Sequence, residues 1–246
     1  MSINIITKGG GSMVLKKTLS IDTEILIQTK KSKPNVLFIP TASDDDESYS
    51  TGFRLIFEKE LNARVDILKV MTEQPDTDTI RKQILKADAI YVGGGNTLRM
   101  MRKWRTLGID QMLINAANNG VVCSGTSAGM LCWYQYGHSD SMAYYTPQKW
   151  EYIRVKTLGI LPATGCPHYD GEKRDVSFQA MIAHQGGVGI ACDDNCAIHY
   201  KGTTYKVLSS QPGANAYKII KTKDGSKQTL IEQTQDYRPV KELWSV

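Results

Sequence analysis

Residues 121–130 read VVCSGTSAGM and set the architecture expected of the whole chain. The apolar run over 120–124 predicts a buried strand. Directly after it, Gly125-Thr126-Ser127-Ala128-Gly129 is a G-x-S-x-G sequence leading into a helix. A serine on so sharp a strand-to-helix turn is held under strain. Larger neighbours would collide with the adjoining strand or helix, which is why glycine flanks it on both sides. Its hydroxyl then stands at the carboxyl end of the sheet, near a helix N-terminus that favours developing negative charge. Ser127 is thereby a candidate nucleophile, and the bland alternative is a tight structural turn.

Outward from this elbow the chain alternates between apolar runs and amphipathic segments. Runs over 3–7, 35–39, 65–70 and 87–92 predict strands. Helices are expected over 52–63, where Phe53, Ile56, Phe57 and Leu61 recur at helical spacing, and over 78–86 and 109–118. Another begins after residue 95, with Leu98, Met101 and Trp104 on one face. Ile21, Ile25 and Leu26 suit an amphipathic helix, although 24–29 also reads as a strand. Strands spaced by helices imply right-handed crossovers and a mostly parallel, doubly wound α/β sheet. The last third changes character. Segments 199–207 and 216–221, with turns at Lys201-Gly202 and over 209–213, predict C-terminal antiparallel strands completing a mixed sheet. No repeat, low-complexity segment or linker interrupts the sequence, so a single domain over 1–246 is expected.

Composition excludes several classes. The 246 residues are enough for a core that needs no disulfide or metal staple. No apolar run reaches the ~18 residues of a membrane-spanning helix, and MSINIITKGGG at the start has no secretory-signal pattern. A charged fraction of 22% argues against disorder. The 30 Lys+Arg against 25 Asp+Glu give a net +5, spread along the chain. Lys30, Lys31 and Lys33 are offset by Asp44, Asp45 and Asp46, and no basic stripe with interleaved aromatics points to nucleic acid. Five cysteines without a CxxC pair read as reduced thiols in a cytosolic protein, with no metal site.

A second glycine-rich turn, Tyr91-Val92-Gly93-Gly94-Gly95-Asn96-Thr97, again joins a strand to a helix. Three glycines let the backbone approach a ligand and aim N–H groups at it. Elbow hydrolases take one oxyanion-hole N–H from the residue after the nucleophile, here Ala128, and another from a nearby loop. Gly93, Gly94 or Gly95 would supply the second. A phosphate loop is the rival reading, but G-x-G-x-x-G spacing and a Lys-Ser/Thr ending are both missing. A plain strand-to-helix turn is the other. A serine nucleophile needs a base. His138 reads as a helix-end cap or surface residue, His184 as a helix-end cation and His199 as a strand residue. His168, in Gly165-Cys166-Pro167-His168-Tyr169-Asp170, comes after a proline and enters a loop, where a rigidly held base belongs. Asp140, Asp170, Asp193 and Asp194 could each orient it, and spacing leaves that choice open.

Four motifs, in this order, resemble the peptidase E (aspartyl dipeptidase) family, which also includes the cyanophycinases: FIPTAS at 38–43, VGGGNT at 92–97, GTSAG at 125–129 and PHY at 167–169. The resemblance runs from about residue 2 to about residue 205. It implies a class I glutamine amidotransferase-like, flavodoxin-like fold with serine where the amidotransferases carry cysteine. By position it makes Ser127 the nucleophile and His168 the general base, with Gly94, Gly95 and Ala128 in the oxyanion-hole segments. The family's third member is usually a glutamate. Aligned without gaps from Gly189-Ile190, the matching residue is Asp194, one methylene shorter, so either the loop comes closer or Asp193 takes the role. Gly171-Glu172-Lys173-Arg174 resembles the family's substrate-carboxylate segment, at a shorter distance from the histidine, which makes Arg174 the matching arginine. A planar guanidinium suits a carboxylate. Otherwise Arg174 is a solvated surface charge. Asn96 of the VGGGNT motif joins it as an expected substrate-binding residue.

The activity implied is that of a cytoplasmic serine peptidase acting on small peptides, with N-terminal-aspartate dipeptides as expected substrates. It would work through an acyl-enzyme, without cofactor or metal, and apart from nucleic acid or membrane. The alternatives are a cyanophycinase-like isopeptide hydrolase and a catalytically weak binding or regulatory module on the same fold.

Overall fold

The computed structural model describes residues 3–171 and 174–245. Glu172 and Lys173, within the segment matched to the family's arginine, lie outside the described residues. The first half of the chain builds β1 (Asn4–Lys8), α1 (Leu19–Gln28), β2 (Asn35–Ile39), α2 (Glu47–Arg54), β3 (Arg64–Ile67), α3 (Thr77–Lys86), β4 (Ala89–Val92), α4 (Thr97–Leu107), α5 (Ile109–Asn118) and β5 (Val122–Thr126). Then come α6 (Ala128–Leu131), β6 (Tyr134–Ser139), β7 (Ile153–Lys156), β8 (Leu161–Cys166), α7 (Arg174–Gln185) and β9 (Val188–Cys192). The chain closes with β10 (Cys196–Lys201), β11 (Thr204–Ser209), β12 (Ala216–Thr222), β13 (Gly225–Ile231), β14 (Arg238–Pro239) and α8 (Lys241–Trp244).

One sheet has the order β14-β11-β10-β1-β5-β4-β2-β3. Its five strands from β1 to β3 are parallel, and β10, β11 and β14 continue it antiparallel. Strand alternation explains why helices cover both faces. Ile5, Leu37 and Ile90 enter one hydrophobic core with Ile80 and Ile84 of α3, Met100 and Trp104 of α4, and Leu113 of α5. Their neighbours Ile6, Phe38 and Tyr91 enter the opposite core with Ile21 and Ile25 of α1 and Phe53 and Phe57. A strand buried on both faces has no polar side, which is why these runs read as continuous apolar segments. Asp46, Asp76 and Asn96 cap α2, α3 and α4 by accepting N–H bonds from Tyr49, Thr79 and Arg99.

The structure departs from the sequence expectation in several places. Strands β13-β12-β9-β8-β6-β7 form a second sheet, which the sequence pattern did not separate from the first. The C-terminal strands expected to finish one mixed sheet are therefore divided: β10 and β11 extend the first sheet, and β12 pairs with β9 in the second. The helix expected over 52–63 begins at Glu47, where Asp46 caps it, and passes into a π-helical segment at Leu55–Glu60. The strand expected over 65–70 ends at Ile67, and the ambiguous segment 24–29 belongs to α1 except for Thr29. Among the described residues no helix is long and apolar enough to cross a membrane.

Candidate active site

Strand β5 delivers the chain into the elbow at its carboxyl end. Ser127 has φ 55° and ψ −117°, a strained conformation for a residue with a side chain. Three neighbours over-determine it. Its N–H donates to the Lys8 carbonyl at 3.2 Å, and its own carbonyl accepts from Met130 and Leu131. Gly129 lies so close to β4 that a Cβ there would stand 2.0 Å from the Val92 carbonyl oxygen. That is the close helix-to-strand approach for which the second elbow glycine is required. Ala128 opens α6, so its N–H has no intrahelical partner.

The loop after β4 brings Gly94 against the same serine: a Cβ on Gly94 would lie 3.2 Å from Ser127 Cβ and 3.7 Å from Oγ. The Gly94 N–H donates to the Tyr49 hydroxyl at 3.3 Å. Gly95 turns with φ 132° and packs on the Ala42 carbonyl. Asn96 is fully buried and accepts the Arg99 N–H as the cap of α4. This cap fixes the start of α4 behind the glycine loop, and the Asn96 Nδ2 has no hydrogen-bond partner among the described residues.

His168 comes after β8 and Pro167, with φ 48°. Its Nδ1 meets Asp194 Oδ1 at 2.6 Å. This hydrogen bond is the main reason the Asp194 carboxyl is held below its usual range, against burial that pushes the other way. Asp193 turns instead to Asn215, whose backbone N–H it accepts at 2.9 Å. Asp170 accepts the Asp194 N–H at 2.9 Å, and Asp140 pairs with Arg174 at 2.9 Å. So of the four candidate carboxylates, Asp194 is the one on the ring. The Ser127 Oγ–His168 Nε2 hydrogen bond is not formed in this structure. Catalytic hydrogen bonds of this type often tighten only when substrate is bound.

The other histidines are occupied elsewhere. His138 is not the surface or capping residue its sequence position implied. It is fully buried in β6, bonded to Ser177 Oγ at 3.0 Å, and burial next to Arg174 pushes its pKa down to about 3. His199 is buried between Asn4 Oδ1 and the Tyr237 hydroxyl, and desolvation lowers its pKa to about 4. His184 is exposed in the last turn of α7. Among the described residues, His168 is the only histidine that combines a carboxylate hydrogen bond with access from solvent.

Arg174 is 3% exposed, which excludes a solvated surface charge. Its guanidinium sits 4.7 Å over the Tyr152 ring and bonds to Asp140. Together with His168, Asp170, Gly171 and Asp194, this pair lines a cavity of about 330 Å³.

One element of the site escaped the sequence reading altogether. Gly9, Gly10 and Gly11 come straight after β1 and pass beneath the His168–Asp194 pair. Gly10 bridges to Asp194, and its carbonyl accepts the Asn195 N–H at 3.2 Å. A Cβ on Gly10 would stand 2.0 Å from Asp194 Oδ1 and 2.4 Å from His168 Nδ1. The absent side chain is what lets the 193–195 loop close in, so that the shorter aspartate reaches the ring. A glycine triplet straight after a strand, like the one at 93–95, was the available signal.

Asp193 supplies a stability test. Burial and the nearby Asp170 and Asp194 charges raise its pKa from 3.8 to about 6. The native state therefore binds the proton more tightly than the unfolded chain, and this group's contribution falls as pH rises from about 4 to about 6. Asp193→Asn is expected to gain stability over the unmodified protein as pH increases, by at most about 2 kcal/mol between those limits. Thermal unfolding at both pH values checks it, and an equal difference at both would count against the assignment.

The chain is similar to known peptidases in sequence and in fold. The model of peptidase family S51 matches residues 5–208. A Bacillus subtilis (strain 168) protein named uncharacterized peptidase YgaJ is 36% identical over 220 residues, covering 88% of this chain and 91% of its own. A Streptomyces coelicolor protein named peptidase E is 28% identical over 133 residues, covering 54% of this chain and 50% of its own. The crystal structure of a peptidase from an acI-B1 actinobacterium superposes with a TM-score of 0.73 at 16% identity, covering 97% of both chains, and shares the fold.

Proposed function

Because this chain belongs to peptidase family S51, we propose that it hydrolyses short peptides through an acyl-enzyme on Ser127. The observation that carries the proposal is the His168 ring held by Asp194 over Gly10, in the turn that follows β1, while the Lys8 carbonyl at the end of that strand accepts the Ser127 N–H of the elbow. Asp194 fixes the tautomer in which Nδ1 carries the proton and Nε2 is free to act as base. Ser127 Oγ adds to the scissile carbonyl carbon while its proton passes to His168 Nε2. The carbonyl oxygen becomes an oxyanion facing the Ala128 N–H and the loop of Gly94 and Gly95. The C–N bond then breaks, and His168 returns the proton to the leaving amine. Water, deprotonated by the same nitrogen, attacks the ester, releasing the acid and regenerating Ser127.

The substrates proposed are dipeptides with an N-terminal aspartate, whose side chain would enter the 330 Å³ cavity toward Arg174. A buried arginine prefers a carboxylate partner, and Asp140 already provides one. The substrate must share the guanidinium with it. A cytoplasmic location belongs to the same proposal and suits five free thiols. The test is a panel of Asp-X, Ala-X and Lys-X dipeptides. Aspartyl dipeptides are expected to be cleaved preferentially, and Asp140→Asn is expected to lower their KM by about tenfold, since a charge-assisted bond is worth about 1.5–3 kcal/mol. Preference for another N-terminal residue, with Asp140→Asn silent, would remove the aspartate assignment while leaving the peptidase.

A further inference from the structure

Helix α2 carries a side chain into the glycine loop that no step of the acyl-transfer reaction uses. The Asp46 cap fixes the first turn by accepting the Tyr49 N–H at 2.7 Å. The Tyr49 ring packs edge-on against Phe38, with centroids 5.1 Å apart. It also closes on Gly93, where a Cβ would stand 3.0 Å from Tyr49 Cε1. The hydroxyl thus reaches Gly94, and the bond there runs from the Gly94 N–H to the Tyr49 oxygen at 3.3 Å. Gly94 is the loop residue lying against Ser127.

This arrangement bears on the oxyanion hole. A phenol has one donor as well as its acceptor lone pairs. At Tyr49 a lone pair is taken by Gly94, and among the described residues the O–H proton goes to no protein acceptor. We propose that Tyr49 is a catalytic residue: its O–H, held at the glycine loop by the Gly94 N–H, donates a hydrogen bond to the oxyanion formed on Ser127. The inference rests on the serine-peptidase reading of the site. Burial pushes the Tyr49 phenol up to about 12, so it keeps its proton through the neutral range and acts as a hydrogen-bond donor, with no proton transferred. Accepting the amide N–H polarises the phenol and strengthens its outgoing bond. The opposite role has an opposite signature. If Tyr49 merely occupied the Gly94 N–H, its hydroxyl would compete with the oxyanion and removing it would speed the reaction.

Tyr49→Phe retains the ring that packs on Phe38 and Gly93, and its melting temperature is expected to stay close to that of the unmodified protein. The probe is an alkyl fluorophosphonate, with which Ser127 Oγ forms an O–P bond as fluoride leaves, building negative charge on the phosphoryl oxygen in the same hole. The unmodified protein is expected to form an adduct on Ser127, and Tyr49→Phe to form it about 10²-fold more slowly, as for loss of one oxyanion donor. With the dipeptide substrate, kcat should fall by a similar factor and KM should hardly move. An adduct formed as fast or faster in Tyr49→Phe overturns the role of Tyr49 alone. Failure of the unmodified protein to label at Ser127 refutes the serine reading, and the oxyanion role with it.

Discussion

Gly10→Ala is expected to fold normally and to lose about 10³-fold in kcat. The new methyl group would stand 2.0 Å from Asp194 Oδ1 and 2.4 Å from the His168 ring, so something must move. The obstructing atoms are the ends of two side chains on loops, and swinging them aside costs little stability. It does break the hydrogen bond that fixes the His168 tautomer, and loss of that orientation in a serine triad costs up to about 10⁴-fold. Gly9 provides the contrast. A Cβ there would stand 2.3 Å from the Asp193 carbonyl oxygen and 2.5 Å from that of Cys192, both backbone. Gly9→Ala must therefore displace the backbone at the end of β9 from the segment that follows β1, and the expected loss is in melting temperature. Dipeptide turnover and thermal unfolding on the two variants separate the effects. If Gly10→Ala retains full activity, the His168–Asp194 pair is not needed in the position seen.

Ser127→Ala is expected to abolish turnover, by about 10⁵-fold or more, with the fold intact. Alanine fits the site, since the hydroxyl makes no hydrogen bond to the fold; the elbow is held by backbone contacts to Lys8, Met130 and Leu131. The strain at φ 55° and ψ −117° remains in the alanine variant. In Ser127→Gly it is relieved, because glycine tolerates positive φ, and relief of order 1–3 kcal/mol outweighs glycine's entropic cost of about 1 kcal/mol. That variant is expected to be inactive and at least as heat-stable as the unmodified protein. The combination is the signature of a residue strained for chemistry; a turn serving structure alone would leave activity intact in both.

The elbow, the glycine loop before α4 and the loop at His168 were legible because each has local chemistry: small residues at a fixed spacing, or a proline next to a histidine. What could not be read was set by distant pairing. Strand β1 lies between β5 and β10, more than a hundred residues away in sequence on either side. Only that placement brings Gly10 under Asp194. The second sheet was missed for the same reason: β6, β8 and β9 are parallel neighbours whose runs carry Gly137, Gly165 and Gly189, so their apolar pattern is broken. His138 read as a surface residue because a histidine beside glycine looks like a helix end; its burial depends on Tyr152 and Phe178, which arrive from elsewhere. The start of α2 was hidden by the run Asp44, Asp45, Asp46, which looked like a charge cluster. In the structure each has a separate job: Asp44 pairs with Arg99, Asp45 accepts the Met71 and Thr72 N–H groups, and Asp46 caps the helix. For Arg174 the sequence left two readings open, and its burial against Asp140 and Tyr152 removes the solvated surface charge.

Acid quenching within milliseconds of mixing with an activated aspartyl ester, then mass spectrometry of the digested protein, reads the nucleophile directly. The peptide carrying Ser127 is expected to gain the mass of one aspartyl group, and the Ser127→Ala variant to gain none and to hydrolyse the ester no faster than solvent. Turnover with no adduct on Ser127, or undiminished turnover by Ser127→Ala, would contradict the acyl-enzyme mechanism.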